Sequence, residues 1–224
     1  QQTVVGEQSL VLKLLPKDPP GPSGFVNDTH AAPLSPVILE QYAFLTDAAI
    51  EKLFAKNQRS QLEEMIGEKL PEKWAPSDLS ADQAKSLMRR FLPRALRRKV
   101  SDERLRAGLD PLEDKSGPEL LTTLKFEMKA VLLSPSFLYR GILVERFPGT
   151  QRRVDPFEFA ERLSYFLWED MPDDELMALA ADGSLMKEEI ITAQVERMLK
   201  APQAKSLAGS FGVQWLGIAN LDEL

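Results

Sequence analysis

Apolar residues recur along most of this chain at every third or fourth position, which is the spacing of an amphipathic helix. The clearest stripe consists of Leu120, Leu121, Leu124, Met128, Val131 and Leu132. Strict apolar–polar alternation, which indicates a strand, is nearly absent, and the chain has no Asn-Gly hairpin turn. The sequence therefore predicts an all-α fold, an irregular multi-helix bundle preceded by an extended, proline-rich N-terminal arm.

Capping residues stand before these stripes and predict where the helices begin. A Ser or Asp side chain accepts hydrogen bonds from the free amides of the first turn, and proline is favoured at the first helical position. The predicted starts lie near Ser35, Ser60, Ser80, Ser101, Ser116, Asp155, Asp173 and Pro202. Capping boxes, in which a Glu or Gln three residues on reaches back to the cap, are predicted at Ser60, Ser80, Ser116 and Asp155.

Proline and glycine content divides the chain into three predicted parts. Residues 1–35 carry five prolines and three glycines, which favour an irregular arm. We predict an N-terminal helical segment over 36–75 and a main helical domain over 76–224. Seven residues of the main domain are expected to be largely buried in one shared cluster: Leu121, Leu124, Met128, Leu163, Leu167, Phe211 and Trp215.

Composition excludes several kinds of chemistry. The 224 residues include no cysteine and a single histidine, His30, so this chain cannot form disulfides, thioether-linked haem, cysteine-ligated clusters or polyhistidine metal sites. We therefore expect no cofactor in this chain. No apolar run reaches the length of a transmembrane helix, so no direct membrane span is expected.

A basic run offers the first candidate site. Arg90, Arg94, Arg97 and Arg98 fall on one side of a continuous helix and could hold phosphates, haem propionates or a partner's carboxylates. The same pattern is typical of a helix face paired with acidic neighbours, and the sequence leaves both interpretations open. Few aromatic residues are interleaved with the run and the formal net charge is −6, so no nucleic-acid partner is expected.

Acidic residues offer a second candidate. Glu158, Glu161, Asp173 and Asp174 include pairs that could act as acid and base in an extracellular hydrolase. The run Glu169–Glu175 lacks the spacing of a calcium loop, and helix capping explains it more simply. A Ser-His-Asp triad would have to use His30, but no GxSxG motif accompanies it, which favours an ordinary histidine.

Three long stretches carry a family resemblance: Phe91–Glu103, Ala130–Arg140 and Phe159–Leu176, continued by Gln194–Leu199 and Phe211–Leu216. Together they resemble the cytochrome-associated multidomain proteins abundant in planctomycetes, whose helical modules are domains of unknown function. The resemblance covers roughly 85–224, and residues 24–42 resemble the upstream module of those proteins more loosely.

The resemblance implies a context for the chain. Such proteins are usually exported and carry CxxCH haem motifs in other modules, so it implies a redox-associated assembly whose other segments or subunits are the partners. Together with the N-terminal Gln1, which removal of a signal peptide would leave, it implies a periplasmic or extracellular location. No catalytic residue is established for these modules. The sequence favours a non-catalytic scaffold or interaction module, with the hydrolase as the alternative.

Overall fold

The computed structural model describes residues 35–138 and 154–216, which fall into two compact units. We call 35–138 the N-terminal unit and 154–216 the C-terminal unit. The predicted proline-rich arm and His30 lie outside the described residues, apart from Ser35 at the end of the arm. The described residues contain helices and no strands, which confirms the all-α prediction. No helix among them has the combined length and apolar character needed to cross a membrane.

The N-terminal unit is built from six α-helices. They are Pro36–Leu53 (α1), Arg59–Ile66 (α2), Ala81–Leu96 (α3), Asp102–Leu109 (α4), Gly117–Leu132 (α5) and Pro135–Leu138 (α6). Helix α3 packs against both α2 and α5, and α1 packs against α5. The predicted segment 36–75 and the residues up to 138 thus share a single core, and the division into units falls after α6.

Side-chain capping explains three of the six helix starts in this unit. The Oγ atoms of Ser35, Ser80 and Ser101 accept hydrogen bonds from the amides three residues on, at 3.1–3.2 Å. At Ser80 the Gln83 side chain completes the box by accepting the Ser80 amide at 3.0 Å. These three starts are confirmed. Helix α5 also begins where predicted, directly after Ser116, although the Ser116 side chain makes no capping bond.

A helix starts near Ser60 as predicted, but the capping box predicted at Ser60 is wrong. Helix α2 begins at Arg59, directly after a 3₁₀ turn, and no side chain caps it. Glu63, the expected box partner, instead folds toward the end of α2, where it accepts the Leu70 amide at 3.1 Å. The helix ends at Gly67, whose φ of 93° lies in the left-handed region that favours glycine.

Leucine and methionine side chains from all the longer helices of the N-terminal unit form its core. Leu87, Met88 and Leu124 are fully buried at its centre. Leu62 and Ile66 bring α2 onto the same cluster, and its other members extend to α1 and α4. Burial of this kind removes apolar area from water and dominates the stability of such a bundle.

The C-terminal unit has four α-helices and one π-helix. They are Pro156–Trp168 (α7), Asp174–Ala181 (α8), Glu188–Lys200 (α9), the π-helix Leu207–Gly212 and Val213–Leu216 (α10). Asp155 and Asp173 cap α7 and α8 as predicted, with carboxylate–amide distances of 3.0 Å. Pro202 begins a short 3₁₀ turn rather than the predicted α-helix.

The expectation of one shared cluster is wrong in two respects. Leu124 and Met128 belong to the core of the N-terminal unit, whereas Leu167 belongs to a separate core in the C-terminal unit. Phe211 and Trp215 are 39% and 69% exposed rather than buried. Helical spacing indicates which residues share a face, but it does not show whether another element covers that face.

Candidate functional site

The four arginines of the basic run do not form one helix face. Helix α3 ends at Leu96, so Arg97 and Arg98 lie beyond it. Arg97 takes the left-handed conformation, with φ 53° and ψ 35°, and turns the chain out of the helix. Arg90 and Arg94 remain exposed on α3, and Arg98 is half-buried. The prediction of a single basic face was wrong because it extended the helical spacing beyond Leu96, where α3 ends.

Arg97 is an internal residue of the N-terminal unit and is only 3% exposed. Its guanidinium donates to the carbonyl oxygen of Phe137 at 2.9 Å and to that of Ser136 at 3.3 Å. It also lies 5.4 Å from the centroid of the Phe137 ring. These contacts attach α6 to the end of α3, and they offset the strain of a left-handed arginine. Arg97 therefore stabilises the fold and is not part of an exposed partner surface.

Arg90 has a structural role of the same kind. Its Nη1 donates to the Glu64 carbonyl at 2.7 Å, at the C-terminal end of α2. A β-carbon on Gly67 would collide with this guanidinium, so the glycine makes room for it. The last carbonyls of a helix lack partners within the helix, and arginine can satisfy them from outside. Arg90 and Arg94 are exposed and Arg98 is half-buried, so a role of these three residues in partner binding stays a prediction.

Among the candidate carboxylates, Asp173 is held by an ion pair. Its two oxygens accept from the Arg197 guanidinium at 2.7 and 3.2 Å while it caps α8. Burial raises the pKa of Asp173, but the hydrogen bonds from Arg197 and the Leu176 amide outweigh burial, and the pKa is lowered overall. An acid with a lowered pKa is ionised at neutral pH, so Asp173 is a poor proton donor.

Glu158 and Glu161 are both buried on α7, at 4% and 5% exposure. Glu158 is bound to Arg162 one turn further along the same helix, with an oxygen–nitrogen distance of 2.5 Å. Asp174 is exposed at the start of α8. The described residues contain no cluster of three or more His, Cys, Asp or Glu side chains that could hold a metal ion.

A shallow depression of about 200 Å³ lies in the N-terminal unit and involves none of these four carboxylates. Its lining residues are Asp47, Ile50, Glu51, Lys125, Phe126 and Lys129. Its charged residues are paired, since Lys125 contacts Glu51 and Lys129 contacts Asp47, each at 2.7 Å. Burial raises the pKa of Glu127, but Glu127 is not one of the lining residues. The depression therefore presents neutralised charges rather than a general acid.

The most distinctive surface of the described chain lies in the C-terminal unit. The Phe166 and Phe211 rings meet edge to face with centroids 5.5 Å apart. Phe211 is nearly parallel to Trp215, at 8° and 6.4 Å between centroids. Phe166 is 54% exposed and Trp215 is 69% exposed. We call these three residues, together with the 60% exposed Leu216, the aromatic surface.

The π-helix is what brings Phe211 to Phe166. The Ser206 hydroxyl, just before the π-helix, lies within hydrogen-bonding distance of the Leu167 carbonyl, at 3.4 Å, which sets this segment against α7. π-helical turns are rare and occur often at functional sites. Sequence reasoning missed this surface because it assigned Phe211 and Trp215 to the core. The available signal was the segment Leu207–Leu216, which is uncharged and combines two glycines with two large aromatic residues.

Comparison with known protein families supports one part of the resemblance, the presence of a domain of unknown function. Residues 154–224, which include the C-terminal unit, match the family model PSD4, described as a protein of unknown function (DUF1592). The motif Phe159–Leu176 lies inside this match, whereas Phe91–Glu103 and Ala130–Arg140 lie outside it. No curated protein matches the chain. No solved structure matches it either. Over about a third of its length, the chain is similar to a helical domain of unknown function.

Proposed function

We propose that this chain is a non-catalytic helical scaffold that binds other protein segments through the aromatic surface. The observation that carries the proposal is the side-by-side exposure of Phe166, Phe211 and Trp215 on one unit. Contiguous apolar side chains at a surface are in contact with water, and a partner that covers them removes this apolar area from water, which favours binding. Tryptophan and other aromatic residues are also the side chains in which binding energy concentrates at protein interfaces.

The state of the carboxylates supports a scaffold over the hydrolase. Paired-carboxylate hydrolysis needs one carboxyl group that stays protonated near neutral pH beside another that is ionised. Asp173 has a lowered pKa, and Glu158 is bound to Arg162. Both therefore serve as ion-pair partners inside the unit, an arrangement that requires no catalytic role.

The proposed context is an exported, redox-associated assembly. Its support is the sequence resemblance to cytochrome-associated proteins, together with the match of the C-terminal unit to a domain of unknown function. In this proposal the haem belongs to other segments or subunits, and this chain contributes helices that hold them in place. The proposed location is periplasmic or extracellular.

Purification of the native assembly through a tag on this chain tests both parts of the proposal. We expect a complex larger than the chain by size exclusion with light scattering, and a haem absorption spectrum. The double substitution Phe166→Ala with Trp215→Ala should release the chain from the complex. The matched control is Phe126→Ala, since Phe126 is 66% exposed but lies in the N-terminal unit.

Two outcomes would contradict the proposal. Retention of the double variant in an unchanged complex would show that the aromatic surface is not needed for assembly. A complex without haem absorption would remove the redox context while leaving the binding role in place. Both variants should keep the helical circular dichroism of the parent chain, because the replaced side chains are largely exposed.

A further inference from the structure

The aromatic surface lies in the more acidic of the two units. The C-terminal unit, residues 154–216, holds twelve acidic and five basic side chains, for a formal charge of −7. The N-terminal unit, residues 35–138, holds sixteen acidic and seventeen basic side chains, for a formal charge of +1. Two of the five cations in the C-terminal unit, Arg162 and Arg197, are already engaged by Glu158 and Asp173. The field around this unit therefore attracts cations.

The segment that supplies two of the three rings adds no charge of its own. The segment Leu207–Leu216, which supplies Phe211 and Trp215, contains no charged residue. Glu169 is exposed and follows Phe166 by three residues at the end of α7. The chain that leaves α7 after Phe166 therefore carries carboxylates, at Glu169 and Asp170, rather than cations. An acidic partner would meet repulsion here, whereas a cationic one would not.

Aromatic faces attract cations directly, and this fold already uses that pairing in both units. The Arg197 guanidinium lies 5.5 Å from the Trp168 ring centroid. In the N-terminal unit, Lys125 lies 5.4 Å from the centroid of Phe54. The ring quadrupole carries negative potential on its face, and tryptophan offers the strongest such site. Trp215 presents that kind of face to solvent, since it is 69% exposed.

We infer that the aromatic surface binds a protein segment in which arginine or lysine side chains alternate with apolar ones. The cations face the rings and the acidic surroundings, and the apolar side chains cover Leu216 and the ring edges. This inference rests on the proposed function, because it names the chemistry of the partner at the same surface.

The test titrates the full chain with three fluorescent probe peptides of equal length, in which leucine alternates with arginine, glutamine or glutamate. Fluorescence anisotropy should show at least tenfold tighter binding of the arginine peptide than of the glutamate peptide. Raising the salt concentration should weaken binding of the arginine peptide, because salt screens exposed charges.

Substitutions at Trp215 separate the aromatic contribution from simple burial. Trp215→Leu keeps an apolar side chain but removes the ring, and should weaken binding of the arginine peptide about three- to tenfold. Trp215→Phe restores a ring and should recover part of that loss. Phe126→Ala, in the N-terminal unit, should leave binding unchanged.

The outcomes distinguish this inference from the proposed function. Equal or tighter binding of the glutamine or glutamate peptide, still dependent on Trp215, would overturn the inference and leave the binding surface intact. Failure of all three peptides to bind would also overturn the inference. The proposed function would then be judged separately by release of the Phe166 and Trp215 double variant from the native complex.

Discussion

The two units differ in the size of their described cores. The described core of the N-terminal unit contains nineteen buried apolar residues over 35–138, whereas that of the C-terminal unit contains seven over 154–216. The N-terminal unit also buries the Arg97 side chain, whereas Phe166 and Trp215 of the C-terminal unit are exposed. The contrast teaches that apolar content alone does not distinguish a stable core from a binding surface.

Polar groups sharpen the contrast. In the N-terminal unit, arginines satisfy backbone carbonyls where helices end: Arg90 at the end of α2, and Arg59 at the carbonyls of Leu70, Pro71 and Glu72. In the C-terminal unit, Arg197 instead binds other side chains, namely Asp173 and Gln194. Arg59 and Arg90 thus hold backbone carbonyls at and after the end of α2, whereas Arg197 neutralises acidic side chains.

The largest expected effect lies in the N-terminal core. Leu124→Ala removes a fully buried side chain and should lower the free energy of unfolding by roughly 2–5 kcal/mol, from lost transfer energy and the cavity left behind. The matched change in the C-terminal unit, Leu216→Ala at 60% exposure, should cost about 0.5 kcal/mol or less. Urea unfolding followed by circular dichroism measures both. Similar losses of stability for the two substitutions would contradict the difference in burial between Leu124 and Leu216.

A smaller effect is expected from the internal arginine. Arg97→Met keeps an apolar stem but leaves the Ser136 and Phe137 carbonyls without this donor, and should cost roughly 1–3 kcal/mol. Arg98→Met, one residue on and half-buried, should change stability by about 0.5 kcal/mol or less. Chemical denaturation of the two variants checks this. Equal stabilities would mean that α6 does not depend on the guanidinium.

Replacing Glu63 is expected to have the smallest effect on stability at neutral pH, and its contribution is tested by lowering the pH. Hydrogen bonds from Lys69 and from the Leu70 amide lower its pKa from 4.5 to about 2. A lowered folded-state pKa gives stability that is fully present above about pH 4.5 and is lost as the pH falls toward about 2. Unfolding measured between these limits should show a weaker pH dependence for Glu63→Gln than for the parent chain.

The neighbouring residue provides the control for that measurement. The Glu64 side chain is exposed, and the contact with Arg90 uses the Glu64 main-chain carbonyl. Glu64→Gln should therefore leave the pH profile of stability unchanged. A profile that flattens equally in both variants would assign the acid sensitivity to general charge repulsion rather than to Glu63.

Local chemistry made part of this fold predictable from sequence. The caps at Ser35, Ser80 and Asp155 depend on residues only two or three positions away, so the sequence contains all the participants. Ser60 failed as a cap because Glu63 is bound by more distant groups, Lys69 and the Leu70 amide. Capping was predictable wherever no tertiary contact competed for the side chain.

The candidate site was less predictable because it depends on where elements end and on what covers them. Arg97 was assigned to a helix face, yet its direction is set by carbonyls forty residues away, at Ser136 and Phe137. The cap at Ser101 was a usable signal, since a new helix starting there requires α3 to end several residues earlier. For Phe211 and Trp215 the spacing was helical, but nothing in the spacing reveals that no element buries them.

The π-helix makes the aromatic surface unusually sensitive to chain length. A π-turn accommodates one residue more than an α-turn, so Leu207–Gly212 behaves as an α-helical segment with a single inserted residue. Because the wider turn absorbs the extra residue, removing one residue there, such as Gly209, would restore an α-turn while the helix beyond it keeps its register. The residues inside the segment would shift around the axis by up to one residue's rotation, about 100°. Phe211 lies inside the segment, so its ring contact with Phe166 is the one that such a deletion would disturb. A one-residue change of length here could therefore alter the surface without replacing any side chain that forms it.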